Sequence, residues 1–336
     1  MNPFAYTRVT APEAALHAIE LRNSKFLGGG TNLIDLMKDG VETPSTLIDI
    51  NHIGLDTVTV SADGATIGAL VRNSNLANHP DIVAHYPLLS HALLSGASPQ
   101  LRNMATTGGN LLQRTRCFYF MDTAFPACNK REPGTGCAAI DGFNRNHAIL
   151  GATNDGSHSP HTCVATNPSD MNVALAALDG KIEVHGPHGK RIIPVADFHR
   201  LPGTSPQIDT NLHPDELITA VLLPPAKFAK HSWYTKVRDR QSYAFALISV
   251  AAGLELDGDT IKSAGLALGG VALKPWRSPE AEHALTGQPA TAETFRKAAD
   301  LALADAKPLR QNAFKVELAK QNIVRTLTIA AQGGHA

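Results

Sequence analysis

Cysteine is scarce in this sequence: the 336 residues contain four, and none lies outside positions 117–163. An excess of charge of either sign is also missing. Basic and acidic side chains number 30 each, so the totals give no pointer to nucleic acid or to an acidic surface. No apolar run approaches the ~20 residues that cross a bilayer, so no membrane span is expected. The opening stretch MNPFAYTRVTAPEAALHAIE has no basic segment followed by an apolar one. The expectation is synthesis in the cytoplasm without a signal peptide, with any export to the periplasm as the folded passenger of a signal-bearing partner. Low complexity, heptads and clear internal repeats are absent. There is no HExxH and no GxSxG elbow around Ser98, which removes the zinc-protease and serine-hydrolase readings.

What is present is a chain long enough for two or three domains, with 43% hydrophobic residues to fill their cores. ALHAIEL, HYPLLSHALLSGAS and SDMNVALAALDG have helical spacing. TLIDI reads as a strand, TVTVSADGATIGAL as strands around a turn at Asp63-Gly64, and KIEVHGPHGKRIIPVADF as a hairpin turning near Gly186–Gly189. ELITAVLLPPA reads as a strand ended by Pro224 and Pro225, which suggest a boundary. Beyond it, further strands and two amphipathic helices predict an α+β C-terminal domain. Between about 114 and 165 periodicity vanishes; so long an irregular stretch is usually functional or disordered.

Two segments are rich in glycine. FLGGGTNLIDLMK places Gly28, Gly29 and Gly30 between an apolar strand and a helix, where the backbone can turn sharply and approach a ligand closely. The free N–H groups of a helix start suit an anion such as a pyrophosphate. NMATTGGNLLQ offers a second loop some eighty residues on, and the two could clamp one dinucleotide from both sides. Neither is GxGxxG, and two ordinary tight turns explain the pattern as well.

Cys117, Cys128, Cys137 and Cys163 fall inside the irregular stretch. A cytoplasmic chain keeps thiols reduced, which argues against disulfides. Their spacings lack the tight CxxC of zinc ribbons and ferredoxins, so structural zinc, an iron–sulfur cluster and free buried thiols all stay open. Arg114, Arg116, Lys130 and Arg131 add positive charge that would favour an anionic cluster. His158 and His161 sit near Cys163, where a polar loop accounts for them.

GGGTNLIDLMK, RNMATTGGNLLQ, PSDMNVALAALDG, DELITAVLLPP and YTKVRDRQSYAFALISVAAG follow one another in an order and spacing that resembles the FAD-binding subunits of the molybdenum hydroxylases, the xanthine dehydrogenase family. The likeness covers nearly the whole chain. It is strongest to the flavin subunits of bacterial periplasmic aromatic aldehyde oxidoreductases, cysteine window included. It implies an α+β fold. Residues 1–225 would form a two-lobed FAD-binding domain of the vanillyl-alcohol-oxidase (PCMH) type, with lobes at about 1–60 and 61–225 and an iron–sulfur insertion at about 114–165. Residues 226–336 would form a smaller α+β domain of the CO dehydrogenase flavoprotein type.

Residue by residue, the resemblance gives Lys25, Phe26, Leu27, Gly28, Gly29, Gly30, Thr31, Asn32 and Leu33 to the first pyrophosphate loop, and Thr106, Thr107, Gly108, Gly109 and Asn110 to the second. Asp170 would bond the polar tail of the flavin, Ile218 would pack on its ring system, and Lys236 would lie near the isoalloxazine, where a cation stabilises the anionic reduced form. On the residues alone, Asp170 reads as a helix N-terminal acid behind a Ser169 cap, and Lys236 as a solvated strand residue. Cys117, Cys128, Cys137 and Cys163 would hold a [4Fe–4S] cluster. The implied activity is electron transfer within an aldehyde oxidoreductase. A large partner would carry the molybdenum cofactor, a small partner two [2Fe–2S] clusters, and the FAD of this chain would pass electrons to an external acceptor. The alternatives are the flavin subunit of an enzyme like 4-hydroxybenzoyl-CoA reductase and a zinc-stapled binding protein without redox function.

Overall fold

Three sheets organise the computed structural model, which describes residues 1–334. The first contains β1 (Ala5–Arg8), β2 (Ser24–Leu27) and β3 (Thr46–Asp49) in the order β1–β3–β2, all parallel. Parallel neighbours need crossovers, which the helices Pro12–Ala18 and Leu33–Lys38 provide. Its small core joins Val9, Ala15, Ile48 and Ile53 to Leu70 and Leu217 from beyond the sheet. Asp49 ends β3 as a hub. Burial alone would raise its pKa, but hydrogen bonds from Tyr6, Asn51 and Arg8 hold it down at about 2.

The second sheet is antiparallel. It contains β4 (Val58–Ser61), β5 (Gly64–Gly68), β6 (Lys181–Gly186), β7 (Gly189–Pro194) and β8 (Leu217–Leu223) in the order β4–β5–β8–β6–β7. Both hairpins turn where the sequence places them. Gly64 has φ +132°, and a Cβ there would run into the Leu223 carbonyl of the neighbouring β8. The helices Pro87–Ser95 and Asp170–Ala177 share one core with this sheet, built on Leu89, Leu93, Val173, Leu175, Ile182 and Val221.

The third sheet, also antiparallel, runs β12–β11–β10–β9 through β9 (Ser232–Val237), β10 (Ile248–Asp257), β11 (Thr260–Gly269) and β12 (Trp276–Arg277). The helices Pro279–Leu285, Ala292–Ala302 and Phe314–Ala331 share the core on one of its faces. Phe295, Ala298, Ala299 and Ala302 recur at helical spacing and are buried; burying a side chain such as Phe295 contributes about 2–3 kcal/mol. On β10 and β11 the other face carries small residues, Ser249, Ala251 and Gly253 opposite Gly269, Ala267 and Gly265. A Cβ on Gly265 would meet the Ala177 carbonyl, and one on Gly269 would meet Val173, so the helix Asp170–Ala177 lies tight against β11. That fixes the helix whose first residue is the candidate Asp170.

Residues 114–165 contain one helix, Phe118–Met121, and otherwise only isolated bridges between Cys128 and Cys137 and between Thr153 and Cys163. Side chains replace the missing ladders. Asn129 donates to the Ser159 and Thr162 carbonyls and accepts from the Gly134 and Gly136 N–H groups. Among the described residues no helix is long and apolar enough to cross a membrane.

Candidate functional site

The two glycine loops touch. A Cβ on Gly29 would collide with the Met104 carbonyl and crowd Ala105, and one on Gly28 would lie 3.0 Å from Thr106 Oγ1. Close approach therefore demands glycine at 29, whereas the left-handed conformation falls one residue later, at Gly30 (φ +73°). Arg72 braces the contact by donating to the Met104 carbonyl and to Asn51 Oδ1, while Asn51 Nδ2 donates to the Gly28 carbonyl at 3.0 Å. Thr106 caps the helix Thr107–Leu111 by accepting from the Gly109 N–H. The Thr107 and Gly108 N–H groups are spent on the Val71 and Ala69 carbonyls. In the first loop, by contrast, the N–H groups of Gly29, Gly30, Thr31 and Asn32 have no acceptor among the described residues, and the buried Asn32 Nδ2 is also unpartnered. These free donors beside a glycine cradle suit a phosphate-bearing ligand.

Thr31 and Asn32 open on a cavity of about 500 Å³ that Gly109, Asn110 and Asp170 also line, with Leu93, Leu101 and Met171 as apolar wall. The segment Asp239–Phe245 closes another side. A second cavity of about 300 Å³ shares Arg116, Pro168, Asp170 and Phe245 with the first and reaches Cys117 and His147.

Asp170 and Lys236, far apart in sequence, meet here. Lys236 Nζ donates to Asp170 Oδ2 at 2.8 Å and to the Ser95 carbonyl at 3.1 Å, and both side chains are buried. Tyr234 donates to Asp170 Oδ1 at 2.7 Å. Burial and the Asp170 charge push the Tyr234 phenol well up, so it stays a donor. Ser169 is the N-cap of the helix, as the sequence suggests, and its Oγ also donates to Asn110 Oδ1, tying the second glycine loop to Asp170. Lys236 is thus not solvated but holds the orientation of Asp170. Lys236→Met leaves a buried carboxylate without its cation, which costs about 3 kcal/mol. Urea unfolding is expected to show that loss, and FAD titration a weakened complex.

Other predicted residues are placed differently. Lys25 pairs with Glu42 at 3.4 Å and is half exposed. Phe26 and Leu27 lie half-buried on β2, and Leu33 opens the next helix. Ile218 is buried in β8 within the core of the second sheet and does not line either cavity. The sequence reading missed Tyr234, although strand periodicity puts it on the same face as Lys236. It also missed Asn51 and Arg72, which carry no motif.

His199 joins the two helices that carry the site. It is buried, 3.1 Å from Asn172 Nδ2 and 2.9 Å from the Leu111 carbonyl. Burial lowers its pKa from 6.5 to about 4, with Asp209 opposing and Lys274 assisting. The unfolded chain therefore binds the proton first. Stability on this account is full above pH 6.5 and declines by up to about 3 kcal/mol as pH falls toward 4. His199→Gln should flatten that limb of the stability–pH curve in urea unfolding.

None of the four cysteines is in a disulfide. Cys117 packs against the apolar groups that contain Cys128 and Cys163, and against a third group that Cys137 also touches. Burial first, and mutual repulsion second, push the Cys117 thiol up, and burial drives Cys137 up to about 12. Among the described residues no three His, Cys, Asp or Glu side chains are close enough to share a metal ion. The loop cations do not surround the thiols as the sequence reading supposes. Arg114 pairs with Glu42 and Asp209, Lys130 with Asp209, and Arg131 donates to the Tyr119 and Phe120 carbonyls. Carboxylates and orphan carbonyls compete for them at shorter range; of the four, Lys130 acts on Cys163 electrostatically.

Glycine loops closed on one another, free N–H donors and a long shared cavity define a nucleotide-cofactor protein, and comparison specifies its class. Residues 2–226 match the family of FAD binding domains in molybdopterin dehydrogenase, and residues 233–330 match the CO dehydrogenase flavoprotein C-terminal domain. The chain belongs to the FAD-binding subunits of the molybdenum hydroxylase family and is an oxidoreductase subunit. It is 53% identical to the aldehyde oxidoreductase FAD-binding subunit PaoB of Escherichia coli (strain K12), over 98% of this chain and 99% of that one. It is 29% identical to the glyceraldehyde dehydrogenase medium chain of Sulfolobus acidocaldarius, over 85% of this chain and 82% of that one. The fold matches carbon monoxide dehydrogenase from Hydrogenophaga pseudoflava (TM-score 0.76, 24% identity, 100% and 99% coverage) and quinoline 2-oxidoreductase from Pseudomonas putida 86 (TM-score 0.74, 22% identity, 99% and 98%). The expected α+β fold is the fold shown.

Proposed function

We propose that this chain is the FAD- and [4Fe–4S]-carrying electron-transfer subunit of a molybdenum-dependent aldehyde oxidoreductase. In this reading a large partner carries the molybdenum cofactor, a small partner carries two [2Fe–2S] clusters, and the complex works in the periplasm. The observation that supports it most is the 53% identity, over nearly the full length of both chains, to a subunit named for an aldehyde oxidoreductase. FAD, when bound, takes up electrons and releases them singly or in pairs. The residues of this chain position it. Gly29 to Asn32 offer N–H groups for the pyrophosphate, Thr106 and Asn110 fix the second loop, and Asp170, held by Lys236 and Tyr234, presents a carboxylate to the polar tail.

What supports the cluster part of this reading is the placement of the cysteines. Cys128, Cys137 and Cys163 all lie near enough to Cys117 to act on its charge, while among the described residues no three side chains are spaced for one ion. A four-iron cage takes one thiolate per corner, and so needs its ligands wider apart than zinc does. The chain co-purified with its partners should show flavin bands with a broad shoulder, four irons per FAD, and flavin bleaching on addition of an aromatic aldehyde. A colourless protein with stoichiometric zinc would replace this reading by the zinc-stapled one. Bleaching by a reductant but by no member of an aldehyde panel would move the complex to another molybdenum hydroxylase.

A further inference from the structure

His147 lies against the thiol that borders the flavin side. Its Nε2 is 3.1 Å from Cys117 Sγ, and both residues line the smaller cavity that continues into the flavin cavity. The residue is buried and three hydrogen bonds fix the backbone that carries the ring. The His147 carbonyl accepts from Lys315 Nζ at 2.8 Å and from Asn312 Nδ2 at 3.0 Å, and the next N–H, of Ala148, donates to the Val164 carbonyl beside Cys163. Lys315 is itself wholly buried, so the clamp belongs to the fold and not to a mobile surface. Nδ1 has no partner. Among the described residues the one polar contact of the imidazole is therefore the cysteine sulfur.

We propose that His147 is a positioning residue for the iron–sulfur centre: its Nε2–H donates to the sulfur of Cys117 and raises the reduction potential of the cluster at the edge nearest the flavin. The inference rests on the cluster reading above. A cluster-bound sulfur carries no proton, so it can only accept, and Nε2 must be the donor whatever the charge of the ring. The bare Nδ1 lone pair is the cheaper atom to leave unpaired than a buried N–H. An N–H aimed at a thiolate withdraws charge and favours the reduced, more negative cluster; hydrogen bonding to the sulfurs is one of the levers that set cluster potentials.

The test compares His147→Phe, which keeps a ring but no donor, with His147→Gln, whose amide can replace the Nε2–H. Both are made in the assembled complex, and cluster potential is read by redox titration followed by electron paramagnetic resonance, alongside iron and sulfide content. A downward shift in the Phe variant, reversed in the Gln variant, is expected. An unchanged potential in an iron-replete Phe variant overturns the proposal. Should the Phe variant lose iron, the wild-type complex decides: with histidine labelled by nitrogen-15, pulsed resonance of the reduced cluster is expected to show a weakly coupled ring nitrogen, and its absence overturns the proposal. Wild-type complex without iron and sulfide sinks the cluster reading itself, a result distinct from either.

Discussion

Gly29→Val is expected to yield a folded chain that binds FAD roughly 5- to 150-fold more weakly, since overpacking at a tight contact costs about 1–3 kcal/mol and each 1.4 kcal/mol is tenfold in affinity. The added carbons point at the Met104 carbonyl and Ala105, so one of the two loops must move away from the other. Arg72 resists that movement, because it holds Met104 from one side and Asn51 from the other. The displacement falls on the first loop, where Gly29, Gly30, Thr31 and Asn32 present their free N–H groups. Backbone conformation plays no part at this position; that constraint belongs to Gly30. Gly29→Ala should show a smaller loss in the same direction. FAD absorbance per chain, read with circular dichroism and a thermal melt, separates ligand loss from unfolding. Full FAD in a folded Gly29→Val chain would mean that the pyrophosphate binds elsewhere.

What the sequence discloses follows from range. The hairpins at Asp63-Gly64 and Gly186–Gly189 depend on turn chemistry and on period-two alternation within a dozen residues, and both are found. The helix Ala292–Ala302 depends on spacing alone, with Thr291 as its cap. The glycine loops show as composition, but which glycine does what is a matter of the chain packed against it, and Met104 lies 75 residues beyond Gly29. The Asp170–Lys236–Tyr234 group is hidden for the same reason: a buried pair between a helix start and a strand of the third sheet leaves no local pattern. The cysteines were conspicuous by clustering, yet the destination of Arg114 and Lys130 was not, since their carboxylates, Glu42 and Asp209, lie on opposite sides of the loop in sequence.

Those ion pairs lead to the effect expected of Cys128→Ser. Cys128 is buried in one apolar group with Phe120 and Leu36, and Leu36 belongs to the helix that follows the first glycine loop. Arg114 stacks its guanidinium over Phe120 at 4.6 Å, bonds Glu42 and Asp209, and gives its own N–H to Asn32 Oδ1 at 3.0 Å. The cysteine loop therefore props the loop that supplies the free N–H donors. It has few regular backbone ladders to order it, and metal binding and folding are coupled in such segments. Loss of one ligand should release iron, loosen residues 114–165 and lower FAD content severalfold, even though Cys128 lines neither flavin cavity. Iron, FAD and melting temperature measured on the same complex, with single-turnover flavin reduction by aldehyde, separate two roles. A centre that only relays electrons would leave assembly, FAD and melting temperature normal and slow the delivery to the acceptor. A centre that also holds the fold would take FAD and stability down with the iron. The route from Cys128 through Leu36 and Phe120 to Asn32 predicts the second result, and normal FAD and stability after cluster loss would refute it.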